Sequence, residues 1–442
     1  MMRKVMFQIV ATALLVLPAL AQEVPLNTPP IYNCDYQPSC EVAPGIYGKM
    51  ASPVMSKFNL SIGGYVKLDY IYNSVNLGAN GALGTLQPAG IPKTSSVAGQ
   101  QDQTLVTARQ TRFWLKVDGP TFVGAKTGAL IETDFFGAGG SNESANMRMR
   151  HAYGTLDWQN TQVMFGQSWD NFGPAAASTL DFGLGATTGN PAQPRISQIR
   201  ITQKVRLSEQ NSLKLIAAVQ NPTQDTNTAN GTAGESWGSM VNVAGQAMVV
   251  SKALGVAPGF WGLSMNSLTA GFFGLYGNQH VAGNSDKVDS WGYGFYTFVP
   301  LLKSKDGKGR TMTASFEGQA FMAANMSFNN ATAQALVGPT GNKSPAKGYG
   351  VFSQVIFYPT QDLGITAGYG RRNAYNYAEY AGIANFQKSS SQVFANIAYD
   401  LNAAVRVAAE YQNLNTQYGN NSPGTSGTGT ANVARFSAMY FF

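Results

Sequence analysis

The sequence predicts an all-β chain closed into a 16-stranded antiparallel transmembrane β-barrel, with one loop folded into its interior. Three observations carry this expectation. Apolar and charged residues alternate with a period of two, short connections alternate with long ones, and the composition is poor in charge but rich in glycine and aromatics. The alternation is clearest across 108–158, in the runs ARQTRFWLKVDG, GALIETDFFG and NMRMRHAYGTLDW. Phe113, Leu115 and Val117 oppose Arg112, Trp114 and Lys116, and Ala129, Ile131, Thr133 and Phe135 oppose Leu130, Glu132 and Asp134. Met147, Met149 and Tyr153 oppose Arg148 and Arg150. Period two places successive side chains on opposite faces of a strand. One apolar and one charged face on adjoining strands fits a wall between lipid and water better than a soluble sandwich.

Residues 1–21 read as a secretory signal peptide. Arg3 and Lys4 precede an apolar run from Val5 to Leu17, and Ala19-Leu20-Ala21 forms a small-residue cleavage site before Gln22. An uncleaved anchor is the alternative, although the run is short for a transmembrane helix. Residues 22–57 contain Pro25, Pro29, Pro30, Pro38, Pro44 and Pro53, which forbid a long helix and suggest an irregular periplasmic extension. Cys34 and Cys40, the two cysteines of the chain, lie in it and suit a disulfide closing a small loop. A metal site would need more ligands, and neither His151 nor His280 is close in sequence.

Residues 58–442 form the predicted barrel. Strand-like runs fall near 58–73, 104–118, 124–136, 146–158, 161–169, 195–207, 212–221 and 237–251, then near 266–277, 288–300, 311–324, 347–358, 362–372, 390–400, 403–413 and 432–442. Short turns after 158, 358 and 400 alternate with long Gly-rich polar loops, the pattern of periplasmic turns and extracellular loops. The connection 252–266 is long for a periplasmic turn. The final run, ANVARFSAMYFF, places Ala434, Phe436, Ala438, Tyr440 and Phe442 on one uncharged face. A terminal aromatic strand of this kind resembles the signal read by barrel-assembly machinery. A free apolar edge would otherwise invite aggregation.

Charged residues make up 12% of the chain, about half the usual share of a soluble domain. The formal charge of +7 falls to +5 once Arg3 and Lys4 leave with the signal. That is mild for a nucleic-acid binder, and no basic cluster with groove-reading context is present. A basic lumen for anions suits it better.

Several segments resemble the DcaP-like porins, trimeric outer-membrane channels for small anions such as dicarboxylates. They are GGYVKLDYIY (63–72), ARQTRFWLKV (108–117), ALIETDFFG (129–137), MRMRHAYGTL (147–156), FGQSW (165–169), TLDFG (179–183) and PRISQIRIT (194–202), in that order. The resemblance implies a passive channel in the bacterial outer membrane, a homotrimer, small anionic solutes and no cofactor. The Pro-rich 22–57 segment departs from the N-terminal coiled coil of some members, so the trimer would rest on the barrel walls.

By parity, Arg112 and Lys116, Arg148 and Arg150, and Arg200 and Lys204 face the lumen. Guanidinium forks grip carboxylates bidentately, and rings of Arg and Lys select anions. If the third and fourth strands pair across 137–145, Glu132 opposes Arg150 and Asp134 opposes Arg148, and those arginines serve either the wall or the solute. In the analogous register Arg112 lies opposite Leu130, so Arg112 and Arg200 look less neutralised. Arg109 has the wrong parity unless a bulge intervenes, while the family resemblance draws it in. The loop 170–194 folds inward or lies on the surface; folded inward, Asp181 would face the arginine wall and set up a transverse field. Enzymatic barrels fit poorly. A phospholipase barrel needs a Ser two residues after its His, whereas His151 is followed by Ala152 and Tyr153, and only Asp286 lies near His280. A structural or adhesive barrel would have a plugged lumen, and this many strands leaves an aqueous channel.

Overall fold

The computed structural model describes residues 58–442, except 79–80, 82–83, 85–89, 138, 182–187, 191–194, 223–237, 281–286, 327–344, 346, 377–385 and 420–426. The expectations for 1–21, for 22–57 and for the Cys34–Cys40 pair lie outside the described residues. Among the described residues no helix is long and apolar enough to cross a membrane.

The strands are β1 (Asn59–Asn73), β2 (Gln103–Thr107), β3 (Arg112–Asp118), β4 (Lys126–Asp134), β5 (Arg148–Asp157), β6 (Thr161–Trp169), β7 (Arg195–Arg206), β8 (Asn211–Gln220) and β9 (Asn242–Pro258). They continue as β10 (Met265–His280), β11 (Lys287–Leu302), β12 (Thr313–Ala324), β13 (Lys347–Tyr358), β14 (Leu363–Ala374), β15 (Gln387–Asp400), β16 (Val405–Tyr418) and β17 (Thr428–Phe441). Apart from β2 and β3, consecutive strands pair antiparallel, and β1 pairs with β17, which closes the sheet into a barrel. β2 and β3 are two halves of one pass, both paired with β1, so seventeen strands make 16 passes. Closure satisfies every ladder within the wall, which the hydrocarbon of a bilayer requires.

Alternation sorts the wall as expected. On β1, Val66, Leu68, Tyr70 and Tyr72 are exposed outward, while Tyr65, Lys67, Asp69, Ile71 and Asn73 are buried inside. On β17, Phe436 and Tyr440 point outward and Arg435, Ser437, Met439 and Phe441 inward. The terminal residue completes the seam: Phe442 N–H donates to the Gly64 carbonyl and Gly64 N–H to the Phe442 carbonyl, both at 3.1 Å.

The loop after β6 runs through the interior. Its apolar residues Phe172, Ala175 and Ala177 pack with Phe273, Tyr296, Phe298, Phe321, Phe352 and Phe394, which line the inside of β10–β15. Its backbone is caught by inward side chains. Ala175 N–H donates to Gln319 Oε1 at 3.3 Å, Ser178 N–H to Gln354 Oε1 at 2.9 Å and Leu180 N–H to Glu410 Oε2 at 2.7 Å. Lys67 Nζ on β1 donates to the Leu180 carbonyl at 2.6 Å. These partners sit on β12, β13, β16 and β1, so residues 170–181 cross the lumen.

Two boundaries differ from expectation. The pass expected over 104–118 is broken, because four residues (108–111) stand opposite three on β1 (66–68), an extra-residue bulge. The long connection expected at 252–266 is mostly strand. β9 and β10 extend to Pro258 and Met265, and a short 3-10 turn, Phe260–Gly262, joins them.

Candidate functional site: a basic wall facing the inward loop

Adjacent strands β3, β4 and β5 put five charged residues on one patch of the inner wall, and Arg195 of β7 joins them. Asp134 sits in register between Arg112 on β3 and Arg148 on β5. Arg148 grips Asp134 with a fork, Nε to Oδ1 at 2.9 Å and Nη2 to Oδ2 at 2.6 Å. Arg150, fully buried, donates Nε to Glu132 Oε1 at 2.6 Å and Nη1 to Asp134 Oδ2 at 3.0 Å. Arg112 Nε lies 3.6 Å from Glu132 Oε1, with its guanidinium over the Tyr65 ring at 5.4 Å. Arg195, at the start of β7, covers the Trp169 ring at 5.0 Å, and Arg150 approaches the same ring at 5.6 Å. Arg195 is within electrostatic reach of Arg112, Arg148, Arg150 and Asp134. Arg112, Arg148, Arg150 and Arg195 against Glu132 and Asp134 leave a formal surplus of two positive charges, with His151 counted neutral.

Several expected registers are corrected by this geometry. Arg112 stands opposite Asp134 rather than Leu130, and Leu130 stands opposite Lys116. Arg112 is therefore held by carboxylates, and the contrast drawn between it and Arg148 or Arg150 falls. Asp134 does oppose Arg148, but Glu132 opposes His151 rather than Arg150. The cause is a register shift between Glu132 and Thr133 that leaves Arg150 as the extra residue of β5. Arg150 and His151 consequently both point inward, and parity reverses beyond them. Tyr153 then shares the inward face, opposite Leu130, instead of joining Met147 and Met149 outside. The break at 108–111 likewise brings Arg109 inside. Arg109 donates Nη1 to the Ser141 carbonyl at 2.6 Å and stacks 5.6 Å from the Phe136 ring, so it braces the loop 137–145.

Further toward the short-turn end the wall stays basic. Arg200 on β7 is inward and stands between Met164 and Ala218. Lys204 stands directly opposite Lys214 on β8. Like charges in that position repel, and a wall shaped by stability alone would avoid the pair. Lys116 lies near the same end and pairs with Asp118 at 3.3 Å, both partly exposed.

Asp181 does fold inside, where it is buried. Its Oδ1 accepts from Gln110 Nε2 at 2.7 Å, and its Oδ2 lies 3.8 Å from Arg435. Arg435 and Lys67 flank Asp69 in turn, at 3.3 and 3.0 Å. On β12, Glu317 accepts from Tyr296 (2.9 Å) and Gln354 (2.6 Å), while Glu410, in register with Arg435 on the neighbouring strand, holds Leu180 N–H. Sequence reasoning missed Lys67, Arg195, Lys214, Glu317, Glu410 and Arg435. Parity in SLKLI or YVKLDY was signal enough for Lys214 and Lys67. Arg195 has the parity of outward residues and reaches the cluster only because it begins its strand beside Trp169.

The fold is that of the porin class of outer-membrane barrels: 16 antiparallel passes, long loops at one end, and a loop crossing the lumen. Within that class the chain is similar in fold to the outer membrane channel DcaP of Acinetobacter baumannii. The identity is 20%, the match covers 87% of this chain and 97% of that one, and the TM-score is 0.65. An anion-selective porin from Comamonas acidovorans matches at 10% identity over 87% and 100% of the chains, with a TM-score of 0.53. The trimer form of OmpT, an outer membrane protein of Vibrio cholerae, matches at 11% over 88% and 100%, with a TM-score of 0.50. No family model matches the chain, and no curated protein does.

Proposed function

We propose that this protein is a porin of the bacterial outer membrane through which small anions, carboxylates among them, diffuse passively. The observation that carries the proposal is the cationic wall running from Arg112, Arg148, Arg150 and Arg195 down to Arg200, Lys204 and Lys214. The loop 170–181 packs its apolar residues against β10–β15, which confines a water path to the side of that wall. A carboxylate moving along it would exchange hydration for guanidinium and ammonium donors without a deep trap, because Glu132 and Asp134 already occupy the upper arginines. The similarity to a channel and to an anion-selective porin supports the reading. So does the resemblance of 63–202 to dicarboxylate channels. Such a pore makes and breaks no bonds, so it is not an enzyme and needs no cofactor. Its partners are outer-membrane lipid, two further copies of itself and, during biogenesis, barrel-assembly machinery reading the strand that ends at Phe442.

The test is the single-channel reversal potential in a salt gradient. The parent should favour anions, and less so as salt rises and screening shortens. Replacing Arg200, Lys204 and Lys214 together by Ala should lower the anion-to-cation permeability ratio by roughly tenfold, equivalent to about 1.4 kcal/mol. A reversal potential near zero in the parent, or one unmoved by the triple variant, would leave a general porin without preference. Native mass spectrometry should give a trimer.

A further inference from the structure

The hairpin between β9 and β10 does something a periplasmic turn does not need to do. Ser267 pairs with Val256 and the next residue, Leu268, with Ser251, so four residues of β9 (252–255) bulge out of the ladder. Beyond this bulge the tip turns under the barrel mouth instead of continuing the wall. Ser315 on β12 donates to the Pro258 carbonyl at 2.6 Å. Arg406 on β16 donates Nη1 to the Trp261 carbonyl at 3.5 Å and lies 5.9 Å from its ring. β16 stands seven places from β9 in a ring of 16 passes, almost diametrically opposite. A tip that touches both sides spans the opening.

The tip is seated, and its seat includes the inward loop. Trp261 is buried and belongs to one apolar cluster with Tyr65, Leu180, Ala398, Met439 and Phe441. Its backbone N–H donates to Ser178 Oγ at 3.4 Å. Gly262 fits so closely that a β-carbon there would lie 2.3 Å from the Tyr358 hydroxyl. Trp261 holds a left-handed conformation, φ 51° and ψ 22°, which a bulky residue keeps only where its surroundings force it. Arg406 itself is fixed by Asp400, Nε to Oδ1 at 2.5 Å, and Arg310 joins the same carboxylate at 2.9 Å.

We propose that the tip 258–264 is a gate at the short-turn end of the lumen, closed in this conformation by the seating of Trp261 against Ser178 and Leu180. It opens by swinging about the bulge 252–255. Because Trp261 and Leu180 of the inward loop share one cluster, the gate and that loop are a single mechanical unit. The strain at Trp261 favours release, and the Arg406–Asp400–Arg310 anchor resists it. Strain stored at a bistable element is how such a switch is poised.

The inference rests on the channel reading, and conductance separates the two. The parent, recorded in planar bilayers, should step between a low and a high level. Trp261→Ala removes the seated ring, and Gly262→Val forbids the seat by meeting the Tyr358 hydroxyl, with no wall residue replaced. Each should abolish the low level and raise mean conductance at least about twofold, with unchanged reversal potential and heat-dependent electrophoretic mobility retained. Folded variants with the parent's conductance would overturn the gate and leave the porin standing. If neither variant folds, the parent decides: one steady level without transitions overturns the gate. No current in any of the three proteins overturns gate and channel together.

Discussion

Arg150 offers the sharpest quantitative test, because it is buried between two carboxylates and bonds both. Arg150→Met removes two hydrogen bonds between charged groups. The cost is not their full value, since Asp134 keeps the Arg148 fork and Glu132 keeps Arg112 at 3.6 Å. Removing one partner of a buried pair costs about 3–5 kcal/mol, and the remaining arginines place this case near the lower figure, about 3 kcal/mol. Glu132→Leu should cost a similar ~3 kcal/mol, because Arg112 and Arg150 both lose an acceptor. The surplus charge of the patch goes from two to one in the first variant and to three in the second. The double variant restores it to two, with Asp134 still held. Its loss should therefore fall short of the sum by about 1.5–3 kcal/mol, a coupling of the size seen between contacting charges. The assay is chemical unfolding in detergent micelles, read by tryptophan fluorescence and by heat-dependent mobility on gels. Additivity within about 0.5 kcal/mol would refute the claim that the patch acts as one electrostatic unit.

Three further outcomes are expected. At Gly370 on β14 a β-carbon would sit 1.6 Å from the Thr188 carbonyl oxygen. Gly370→Ala should then displace the inward loop, changing conductance while the barrel's unfolding midpoint holds, since β14 is laddered on both sides. In the turn 303–312, the Asp306 carboxylate accepts from the N–H groups of Lys308 (2.9 Å) and Gly309 (2.6 Å) and from Ser304 Oγ (3.0 Å). These donors hold its pKa near 2, below the ordinary 3.8. A depressed carboxylate pKa means that the turn's support is complete above pH 4 and is lost only as pH falls through about 2. Carboxyl carbon shifts followed by NMR should titrate there, and a midpoint near 4 would contradict the turn geometry. Finally, Cys34 and Cys40 should resist alkylation in protein taken from the membrane until a reductant is added; immediate labelling would refute the disulfide.

The sequence by itself determined the class. Each strand of a closed barrel must show one face to lipid and one to water, so period-two alternation is imposed on the chain locally and can be read locally. The pass count, the lipid-facing stripe of β17 and the inward parity of Arg112, Arg148 and Arg200 followed from that alone. Only tertiary structure decided register, because register depends on how far one strand slides against the next, and a single extra residue alters it without disturbing either strand's own pattern. The bulge at Arg150 and the break at 108–111 are such residues. Through them Tyr153 and Arg109 changed face, while the turn between β3 and β4 set the unbroken register in which Arg112 meets Asp134 instead of Leu130. The inward loop shows the same division. Its small residues suggested that it could enter the barrel, but its course depends on Gln319, Gln354, Glu410 and Lys67, which lie up to 230 residues away along the chain and meet it only in three dimensions. The tip carrying Trp261 had even less local signal, since its seat is built from strands on the far side of the ring.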